Sequence, residues 1–566
     1  MKKRHLITSA LPYINGVKHL GNLVGSLLPA DVYARFLRMR GEDVVFICGT
    51  DEHGTPAEIG AHQEGKSVQQ YCDEKYEQQL QIYRSFRLSF DHFGRTSGEE
   101  NKTTTQAVFS ALDKNGYISE REIKQLYSLD EGRFLPDRYV EGTCPKCGYL
   151  PARGDQCDGC GSLLDPLELV QPRSTITGSR NLEVRSTTHL FLRLDLLSDT
   201  ISEWVNTHDD WSPTVRGIAR KWLDEGIRER GITRDLSWGV PVNKPDFESK
   251  VFYVWFDAPI AYISFTKEWA RKSGHPEAWT QWWQDPANVE LVQFMAKDNV
   301  PFHTVFWPGM MLGTRKNWVM ANQIKGFNWL TYQGGKFSTS MRRGIFMDTA
   351  LELFPADHWR YGLLSMAPEG DDSDFSIARF AAIINKDLAD ILGNFLGRTH
   401  ALIEKHFSGR LPDGYVADQA VVEQVSEKAQ SYLEELSKLR FRSALHALRA
   451  MWVLGNEYVA AKQPWALAKT DRVELAHVLK NCLYLQNVYS RFASPFLPDL
   501  AARIAVQPEE AAALGKNQFH LVLDHEWLRG ELDVGKPDAF IEKISDENVS
   551  RLTKRFDGSG GRANEA

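Results

Sequence analysis

The chain has 566 residues, which is too long for a single hydrophobic core and predicts about two to four domains. Its composition is that of a globular protein, and it contains no run of about 18 apolar residues that could cross a membrane. The net charge of −7 argues against indiscriminate nucleic-acid binding, although local basic patches can still dock a large RNA. The opening MKKRHLITSALPYI is interrupted at Pro12 and lacks a small-residue cleavage site, so we expect a cytosolic protein rather than a secreted one.

The first strand-to-helix turn, LITSALPYINGVKHLGN over residues 6 to 22, predicts a phosphate site. A β-type run over residues 6 to 11 stops at Pro12, and an amphipathic helix begins a few residues later. In open parallel sheets, ligands bind beyond the carboxyl ends of the strands, where a helix N-terminus offers unpaired N–H groups to phosphate. A bent triphosphate needs donors and a glycine that allows close approach. His19, Gly21 and Asn22 supply these features, although HLGN alone is also compatible with an ordinary helix start.

A second buried strand is predicted over Val44 to Cys48 (VVFIC). It ends just before Asp51, which we therefore expect on the same rim as Pro12 and His19. A solvated loop acid is the alternative interpretation of Asp51. Residues 54 to 116 alternate helical patterns with short loops and complete the first half of a nucleotide-binding fold.

Four of the seven cysteines form a CxxC-x9-CxxC pattern. Each CxxC offers two thiolates to one ion, and two such knuckles complete a tetrahedral S4 site that favours Zn²⁺. Because all four positions are protein sulfur, the zinc is expected to be structural; a redox pair is the alternative. Residues 161 to 230 contain no further cysteine, so we expect one zinc. The predicted ligands are Cys144, Cys147, Cys157 and Cys160.

The second half of the chain repeats the strand signals. Val251 to Trp255 (VFYVW) and Leu291 to Met295 (LVQFM) predict strands that end in FDAPIAY and AKDNVPFH. Aromatic residues beyond these strand ends are compatible with a narrow apolar pocket or with plain core. The glycine-flanked KFSTS, Lys336 to Ser340, predicts a mobile loop that carries a cation. From about Ser376, apolar residues at i+3 and i+4 spacing predict a helix bundle of about 150 residues.

In the same order, ALPYINGVKHLGN, CGTDEHGTP, the paired CxxC, YVWFDAPIAY, FMAKDNVPFH and KFSTS resemble the motifs of the methionyl-tRNA synthetases, a class I aminoacyl-tRNA synthetase family. The resemblance extends to about residue 500. It implies an α/β fold, with a Rossmann-type doubly wound parallel nucleotide-binding sheet, a zinc-knuckle insertion and a C-terminal all-α anticodon-binding bundle. The implied regions are the two halves of the Rossmann catalytic domain (1–116 and 235–325), the connective insertion (117–234), the KFSTS loop and stem-contact region (326–375), the helical anticodon-binding domain (376–540) and a tail (541–566).

The resemblance also implies an activity. L-Methionine would be activated by ATP, with Mg²⁺ on the phosphates, to methionyl-adenylate, and the methionyl group would pass to the 3′ end of methionine tRNA. We expect no DNA or membrane partner, a cytoplasmic location, and a monomer because no dimerisation module is evident. The insertion is too short for the large editing domain found in some related synthetases. The implied catalytic residues are His19, Asn22, Lys336 and Thr339, and the implied ATP-binding residues are Pro12, His19, Gly21, Asn22, Lys336, Ser338 and Thr339.

Two binding sites follow from the resemblance. The methionine pocket would hold the amino group at Asp51 and place Tyr262 and His303 near the sulfur. Asn299 stands where many bacterial members have an apolar residue. The implied pocket residues are Leu11, Tyr13, Asp51, Trp255, Ala258, Pro259, Tyr262, His303 and Trp307. The implied anticodon-reading residues are Asn394, Arg398 and Trp465, although Trp465 is also compatible with a core role.

One residue departs from the family pattern. Thr339 stands where a lysine usually stabilises the pyrophosphate, so we expect Arg342 or Arg343 to supply the missing charge; the alternative is that both are solvated or contact tRNA. Two other functions are compatible with parts of the sequence. One is a small-molecule nucleotidylyltransferase of the same fold, and the other is a non-catalytic or weakly active tRNA-binding paralogue.

Overall fold

The first 114 residues contain the two predicted strands and the predicted helices, together with a third strand, at residues 92 to 95, that the sequence analysis did not predict. The computed structural model describes residues 3–154, 157, 159–160, 162, 164–337, 343–506, 525–534 and 541–556. The first strand begins and ends two residues earlier than predicted, because the chain leaves the sheet before Pro12. The elements are β1 (Arg4–Ser9), α1 (Leu20–Asn22), α2 (Leu28–Met39), β2 (Asp43–Thr50), α3 (Thr55–Gln63), α4 (Val68–Ser85), β3 (His92–Arg95) and α5 (Glu99–Lys114), with a π-helical turn at Leu23–Leu27.

The insertion between α5 and the next part of the catalytic sheet forms two small antiparallel sheets and two helices. Its strands are β4 (Ile118–Ser128), β5 (Arg133–Phe134), β6 (Val140–Thr143), β7 (Ala152–Arg153), β8 (Val170–Ser174), β9 (Leu182–Leu192), β10 (Arg230–Gly231) and β11 (Thr233–Arg234). Its helices are α6 (Ser198–Asn206) and α7 (Pro213–Asp224). The sheet orders are β10-β9-β4-β5 and β7-β6-β8. Apolar residues of α6 and α7 join the same core as Leu6 and Ile47, so this end of the insertion packs on the catalytic sheet.

The second half of the catalytic domain completes a five-stranded parallel sheet in the order β14-β13-β1-β2-β3. Strand order reverses between β1 and β13, which is the position where doubly wound sheets bind ligands. The elements of this half are β12 (Val251–Phe252), α8 (Val254–Asp257), α9 (Ala261–Lys272), α10 (Trp279–Trp283), β13 (Val289–Ala296), α11 (Trp307–Gly313) and β14 (Ala321–Phe327).

The strand predicted over Val251 to Trp255 is longer than the strand observed. Within this run only Val251 and Phe252 form a strand, and they pair with β11 outside the main sheet. Residues 254 to 257 form the short helix α8, in which Trp255 stacks on Phe302 with ring centroids 3.6 Å apart. A short apolar run is equally compatible with a strand and with a buried helical turn, and here packing against Phe302 favours the turn.

Beyond β14, a small three-stranded sheet leads into a bundle of helices. The elements before the bundle are β15 (Leu330–Tyr332), β16 (Gly335–Lys336), α12 (Met347–Leu353), α13 (Ala356–Ser365) and β17 (Ser373–Phe375). The bundle contains α14 (Ile377–Ile383), a π-helix at Ile384–Gly393, α15 (Asn394–Phe407), β18 (Arg410–Leu411), α16 (Gln419–Ser437), α17 (Phe441–Lys462), α18 (Pro464–Thr470), α19 (Arg472–Ala493), α20 (Pro498–Ile504), β19 (Leu532–Asp533) and α21 (Asp546–Arg555). No helix in the described ranges is long and apolar enough to cross a membrane.

A buried ion pair joins the catalytic domain to the bundle. Arg360 on α13 is fully buried and its Nη2 lies 2.7 Å from Asp31 Oδ2 on α2. Its guanidinium also donates to the backbone oxygens of Phe86, Pro495 and Phe496 at 2.8 to 3.0 Å. The two regions therefore share one polar network as well as one apolar core.

Candidate active site

The turn after β1 is held by the end of β2. The Asp51 amide donates to Pro12 O at 2.9 Å, and the Ile14 amide donates to Asp51 O at 2.8 Å. These bonds place Asp51 beside the first signature stretch on the rim predicted from the sequence. Both segments lie at the carboxyl ends of neighbouring parallel strands, so the same backbone ladder positions them.

His19 and Asn22 cap the first helix reciprocally. The Asn22 amide donates to His19 Nδ1, and the His19 amide donates to Asn22 Oδ1, both at 3.3 Å. Burial, together with the neighbouring Lys18, lowers the pKa of His19 to about 3, so the imidazole is neutral. Because Nδ1 accepts a hydrogen bond, its proton lies on Nε2, which can donate to a phosphate oxygen. A Cβ on Gly21 would lie 3.0 Å from His19 Nδ1, which explains the glycine at that position.

A cavity of about 650 Å³ lies at the switch point between β1 and β13. This volume is within the usual range for small-molecule sites of about 300–1,000 Å³. Its walls come from the signature turn, the end of β2, helices α8 and α9, and the β15–β16 hairpin. The predicted site residues on its lining are Leu11, Pro12, Tyr13, His19, Gly21, Asn22, Asp51, Trp255, Ala258, Pro259, Tyr262, His303 and Lys336.

Asp51 is an acid without its full complement of partners. Its side chain is buried, and Oδ1 has no hydrogen-bond partner within the described ranges. Burial raises the pKa of Asp51 well above its ordinary value, and the nearby Asp257 carboxylate adds to this effect. Asp257 itself contacts His53, with Oδ2 and Nδ1 2.7 Å apart. A bound cation would satisfy Asp51 and favour its ionised form. The burial of the side chain excludes the interpretation of Asp51 as a solvated loop acid.

A neutral polar pair lies in the wall contributed by α9. His303 Nδ1 is 3.0 Å from Asn299 O and therefore carries the proton, so Nε2 accepts from Tyr262 Oη at 3.1 Å. Burial lowers the pKa of His303 to about 4, which keeps the ring neutral. Trp307 does not line the cavity but lies behind this wall, fully buried, with its ring 6.0 Å from that of Trp283. Its predicted direct contact with substrate is therefore not supported by its position.

The β15–β16 hairpin brings Lys336 to the cavity. Its Nζ lies 3.9 Å from the ring centre of Trp329, and the next residue, Phe337, stacks on His19 with centroids 5.0 Å apart. Lys336 of the KFSTS motif therefore lies close to His19 of the HLGN motif. Predicted residues Ser338 and Thr339, and the possible substitute Arg342, lie outside the described residues.

Arg343 is engaged by the hairpin itself. Its Nη2 donates to Tyr332 O at 3.0 Å and to Gln333 O at 3.4 Å. The guanidinium therefore stabilises the hairpin that carries Lys336. This position disfavours Arg343 as the cation beside a departing pyrophosphate, because its guanidinium already donates to two backbone oxygens of the hairpin.

The four cysteines of the paired CxxC come together. Their sulfur atoms all lie within 4.8 Å of one another, with Cys147 and Cys157 Sγ 3.6 Å apart and Cys144 and Cys160 Sγ 4.0 Å apart. Zn–S bonds of about 2.3 Å in a tetrahedron separate the sulfurs by about 3.8 Å. The residues present therefore fit a closed S4 metal site.

The three predicted anticodon residues are all exposed on the bundle. Asn394 begins α15 and Arg398 follows one turn later, while Trp465 lies near the start of α18. Helices α15 and α18 are in contact. The Trp465 side chain is 50% exposed, so its alternative role as core is wrong.

Several cavity residues were not identified from the sequence. Trp329 and Phe337 fix Lys336 and His19, and Lys18 lies buried in the wall beside Asn15. Phe337 lies within KFSTS, where its position was a usable signal. Lys18 carried no such signal, because a lysine next to an exposed helix start is normally solvated.

The comparisons with known proteins agree with this geometry. A family model for class I tRNA synthetases (M) matches residues 5–400, and a model for the anticodon binding domain of methionyl tRNA ligase matches residues 413–561. The chain is 49% identical over 561 residues to methionine–tRNA ligase 1 of Acaryochloris marina, covering 98% of this chain and 100% of the relative. It is 48% identical over 575 residues to a methionine–tRNA ligase of Streptomyces avermitilis, covering 98% and 99%.

The fold is also that of a solved structure. Mycobacterium tuberculosis methionyl-tRNA synthetase in complex with methionyl-adenylate superposes with a TM-score of 0.74 at 22% identity, over 95% of this chain and 100% of that one. The parallel sheet, the crevice and the matched family model define a class I tRNA synthetase. Within that class, the identity to full-length relatives shows that the chain belongs to the methionine–tRNA ligase family.

Proposed function

We propose that this chain activates L-methionine with ATP and transfers the methionyl group to the 3′ end of methionine tRNA. The observation that carries this proposal is the single cavity in which His19, Asp51 and Lys336 meet. A nucleotidylyltransferase would need the phosphate donors, but it would need neither a cysteine knuckle nor a helical bundle that carries the exposed Trp465. His19, Asp51 and Lys336 are all present and line the cavity, which weighs against a non-catalytic paralogue.

In the proposed first step, a carboxylate oxygen of methionine attacks the α-phosphorus of ATP and the bond to pyrophosphate breaks. His19 Nε2–H and the side-chain Nδ2–H of Asn22 donate to phosphate oxygens, and Lys336 neutralises the charge that builds on the leaving group. Mg²⁺, bound to the ATP phosphates, would supply further charge stabilisation there. Thr339 and Ser338 are proposed to contribute hydroxyl groups from the same loop, and Pro12 and Gly21 to allow close approach of the nucleotide.

Methionine is proposed to bind along the α8–α9 wall. Asp51 receives its ammonium group, and the neutral pair of Tyr262 and His303 faces its thioether, which needs no charged partner. Sulfur–aromatic contacts favour this placement by about 0.3–1.5 kcal/mol. The remaining proposed contacts are Leu11, Tyr13, Trp255, Ala258 and Pro259.

The second step requires tRNA, which we propose is read by Asn394, Arg398 and Trp465. Exposed aromatic and polar side chains suit the splayed bases of an RNA loop. The four cysteines are proposed to hold one structural Zn²⁺. A tRNA partner and thiolate ligands fit a cytoplasmic protein, and we propose a monomer without DNA or membrane partners.

Methionine-dependent ATP–pyrophosphate exchange tests this function. The purified chain should catalyse exchange with methionine and not with leucine, isoleucine or valine, and should charge methionine tRNA. A chain that binds tRNA without exchange would support the non-catalytic alternative. Exchange that depends on a small phosphorylated substrate and not on an amino acid would support the nucleotidylyltransferase.

A further inference from the structure

Lys18 is a buried cation in the wall of the active-site cavity. Its side chain is 5% exposed, and within the described residues its Nζ makes one hydrogen bond, to Asn15 Oδ1 at 2.9 Å. An ammonium group carries three donors, so two of them have no protein acceptor there. The backbone holds the residue in place, because the Met347 amide donates to Lys18 O at 2.9 Å.

The same cavity contains a buried carboxylate that also has unused hydrogen-bonding capacity. Asp51 is 6% exposed, and its Oδ1 lacks a partner in the described part of the chain. Lys18 and Asp51 both line this cavity, and the charge of Asp51 raises the pKa of Lys18 against the larger lowering effect of burial. A buried cation and a buried anion with unused hydrogen-bonding capacity, both lining one cavity, match the two charges of an α-amino acid zwitterion.

We propose that Lys18 binds the α-carboxylate of the amino acid substrate while Asp51 binds its ammonium group. This inference rests on the proposed function and deepens it, because it names the residue that recognises the carboxylate. The arrangement orients the zwitterion, with the carboxylate directed toward the HLGN turn where phosphate donors lie. An analogue of the amino acid that lacks the carboxylate loses one of the two charge contacts.

The proposed contact has a specific kinetic consequence. Adenylation converts the carboxylate into a neutral acyl group as its oxygen bonds to the α-phosphorus, so a cation on the carboxylate stabilises the bound substrate at least as much as the transition state. Loss of Lys18 should therefore raise KM for methionine and leave kcat nearly unchanged. A cation that acted on the transition state would instead lower kcat.

The experiment compares methionine with methioninol, an amino alcohol with the same side chain and ammonium group but no carboxylate. Lys18→Met keeps the length and removes the charge. We expect it to weaken methionine binding about 10- to 100-fold, as for loss of a charged hydrogen bond, and to change methioninol binding less than about threefold. Equal weakening of both ligands, or no weakening of methionine binding, would overturn the proposal.

A second measurement uses the unmodified chain, so it does not depend on how a variant folds. Burial lowers the pKa of Lys18 to about 7, against the opposing effect of Asp51. The other titratable neighbour, His19, has a pKa lowered to about 3 by burial and Lys18, and so stays neutral above pH 6. Methionine affinity should therefore fall relative to methioninol affinity as pH rises from 6 to 8.5. Parallel pH profiles for the two ligands would contradict a carboxylate contact.

Two controls separate this inference from the proposed function. Lys102→Met removes an exposed lysine on α5 and should leave both ligands unaffected. If the unmodified chain shows no methionine-dependent exchange, the proposed function fails. If it exchanges normally and Lys18→Met retains its methionine KM, the function stands and the Lys18 assignment alone fails.

Discussion

At the residue scale, Trp465 illustrates how exposure separates a binding role from a core role. A half-exposed tryptophan next to the exposed face of α15 contributes little to the core, yet it can stack on an unpaired base. Trp465→Ala should weaken tRNA charging by about 1–3 kcal/mol and leave methionine-dependent exchange unchanged. Val473→Ala, at an exposed residue on α19, is the matched control and should change neither activity. An equal fall in both activities for Trp465→Ala would contradict a role in reading the anticodon.

The position of Arg343 predicts different roles for the two arginines that follow KFSTS: Arg343 stabilises the hairpin, and Arg342 is left as the candidate loop cation. Arg343→Ala should loosen the β15–β16 hairpin, costing about 1.5–3 kcal/mol for hydrogen bonds from a charged group. Arg342→Ala should lower kcat for exchange by about 10²–10³ if Arg342 contacts the leaving pyrophosphate. Thr339→Lys should then rescue Arg342→Ala and fail to rescue Arg343→Ala. Rescue of both variants, measured by exchange, would show that Arg343 acts through charge.

At the element scale, the paired CxxC is expected to fold around its metal. Buried Cys144 and Cys157 belong to a small core with Leu135 and Tyr139, so loss of the ion should unsettle this part of the insertion. Cys144→Ser should reduce zinc from one per chain toward none and lower the unfolding temperature, as followed by elemental analysis and calorimetry. Cys72→Ser, at a buried cysteine outside the knuckle, should keep one zinc. Two zinc ions in the unmodified chain would contradict a single site.

A helix near the C-terminus also supports the hairpin that carries Lys336. At the end of α21, Phe556 O accepts from Gln333 Nε2 at 3.0 Å and from Tyr332 Oη. The segment before α21 bonds to the bundle, with Asn385 and Ile544 exchanging two hydrogen bonds of 2.8 Å. The region expected to be a tail is therefore packed between the bundle and the hairpin over residues 541 to 556.

At the scale of the whole molecule, the Arg360 network couples the catalytic domain to the bundle. Arg360→Met should cost about 3–5 kcal/mol of unfolding free energy, because it removes the fully buried partner of Asp31, which keeps only Arg35 and Ser89, and the donor to three buried backbone oxygens. Urea unfolding measures this loss. Arg271→Met, which breaks an exposed ion pair, should stay within about 0.5 kcal/mol of the unmodified chain. A similarly small change for Arg360→Met would contradict the coupling.

The same network gives a dependence of stability on pH. Burial alone would raise the pKa of Asp31, but Arg35 and Arg360 outweigh it and lower the pKa to about 2. Because the unfolded value is about 3.9, the stabilisation by ionised Asp31 is complete above about pH 4 and disappears as pH falls toward 2. Asp31→Asn should reduce the slope of unfolding free energy against pH in that range. An unchanged slope would show that Asp31 is not ionised through this network.

Local spacing determined much of this protein in advance. The i, i+3 cap between His19 and Asn22, the two cysteine knuckles and the helical repeat beyond residue 376 each depend on neighbours in the chain. For such features the backbone geometry follows directly from the sequence. The parallel sheet and its ligand crevice also followed from strand signals and the positions of the motifs, although the domain boundaries remain predictions.

Only the tertiary structure decided which apolar and charged residues face the cavity. The run at Val251 became a helical turn because Trp255 stacks on Phe302, and Trp307 became core behind the pocket. Lys18 is buried rather than solvated because the segment after KFSTS bonds to its backbone from more than 300 residues away. Apolar periodicity and local charge are the same for a residue that lines a site and for one that supports it. Long-range packing distinguishes them, since it alone fixes which surface each side chain contacts.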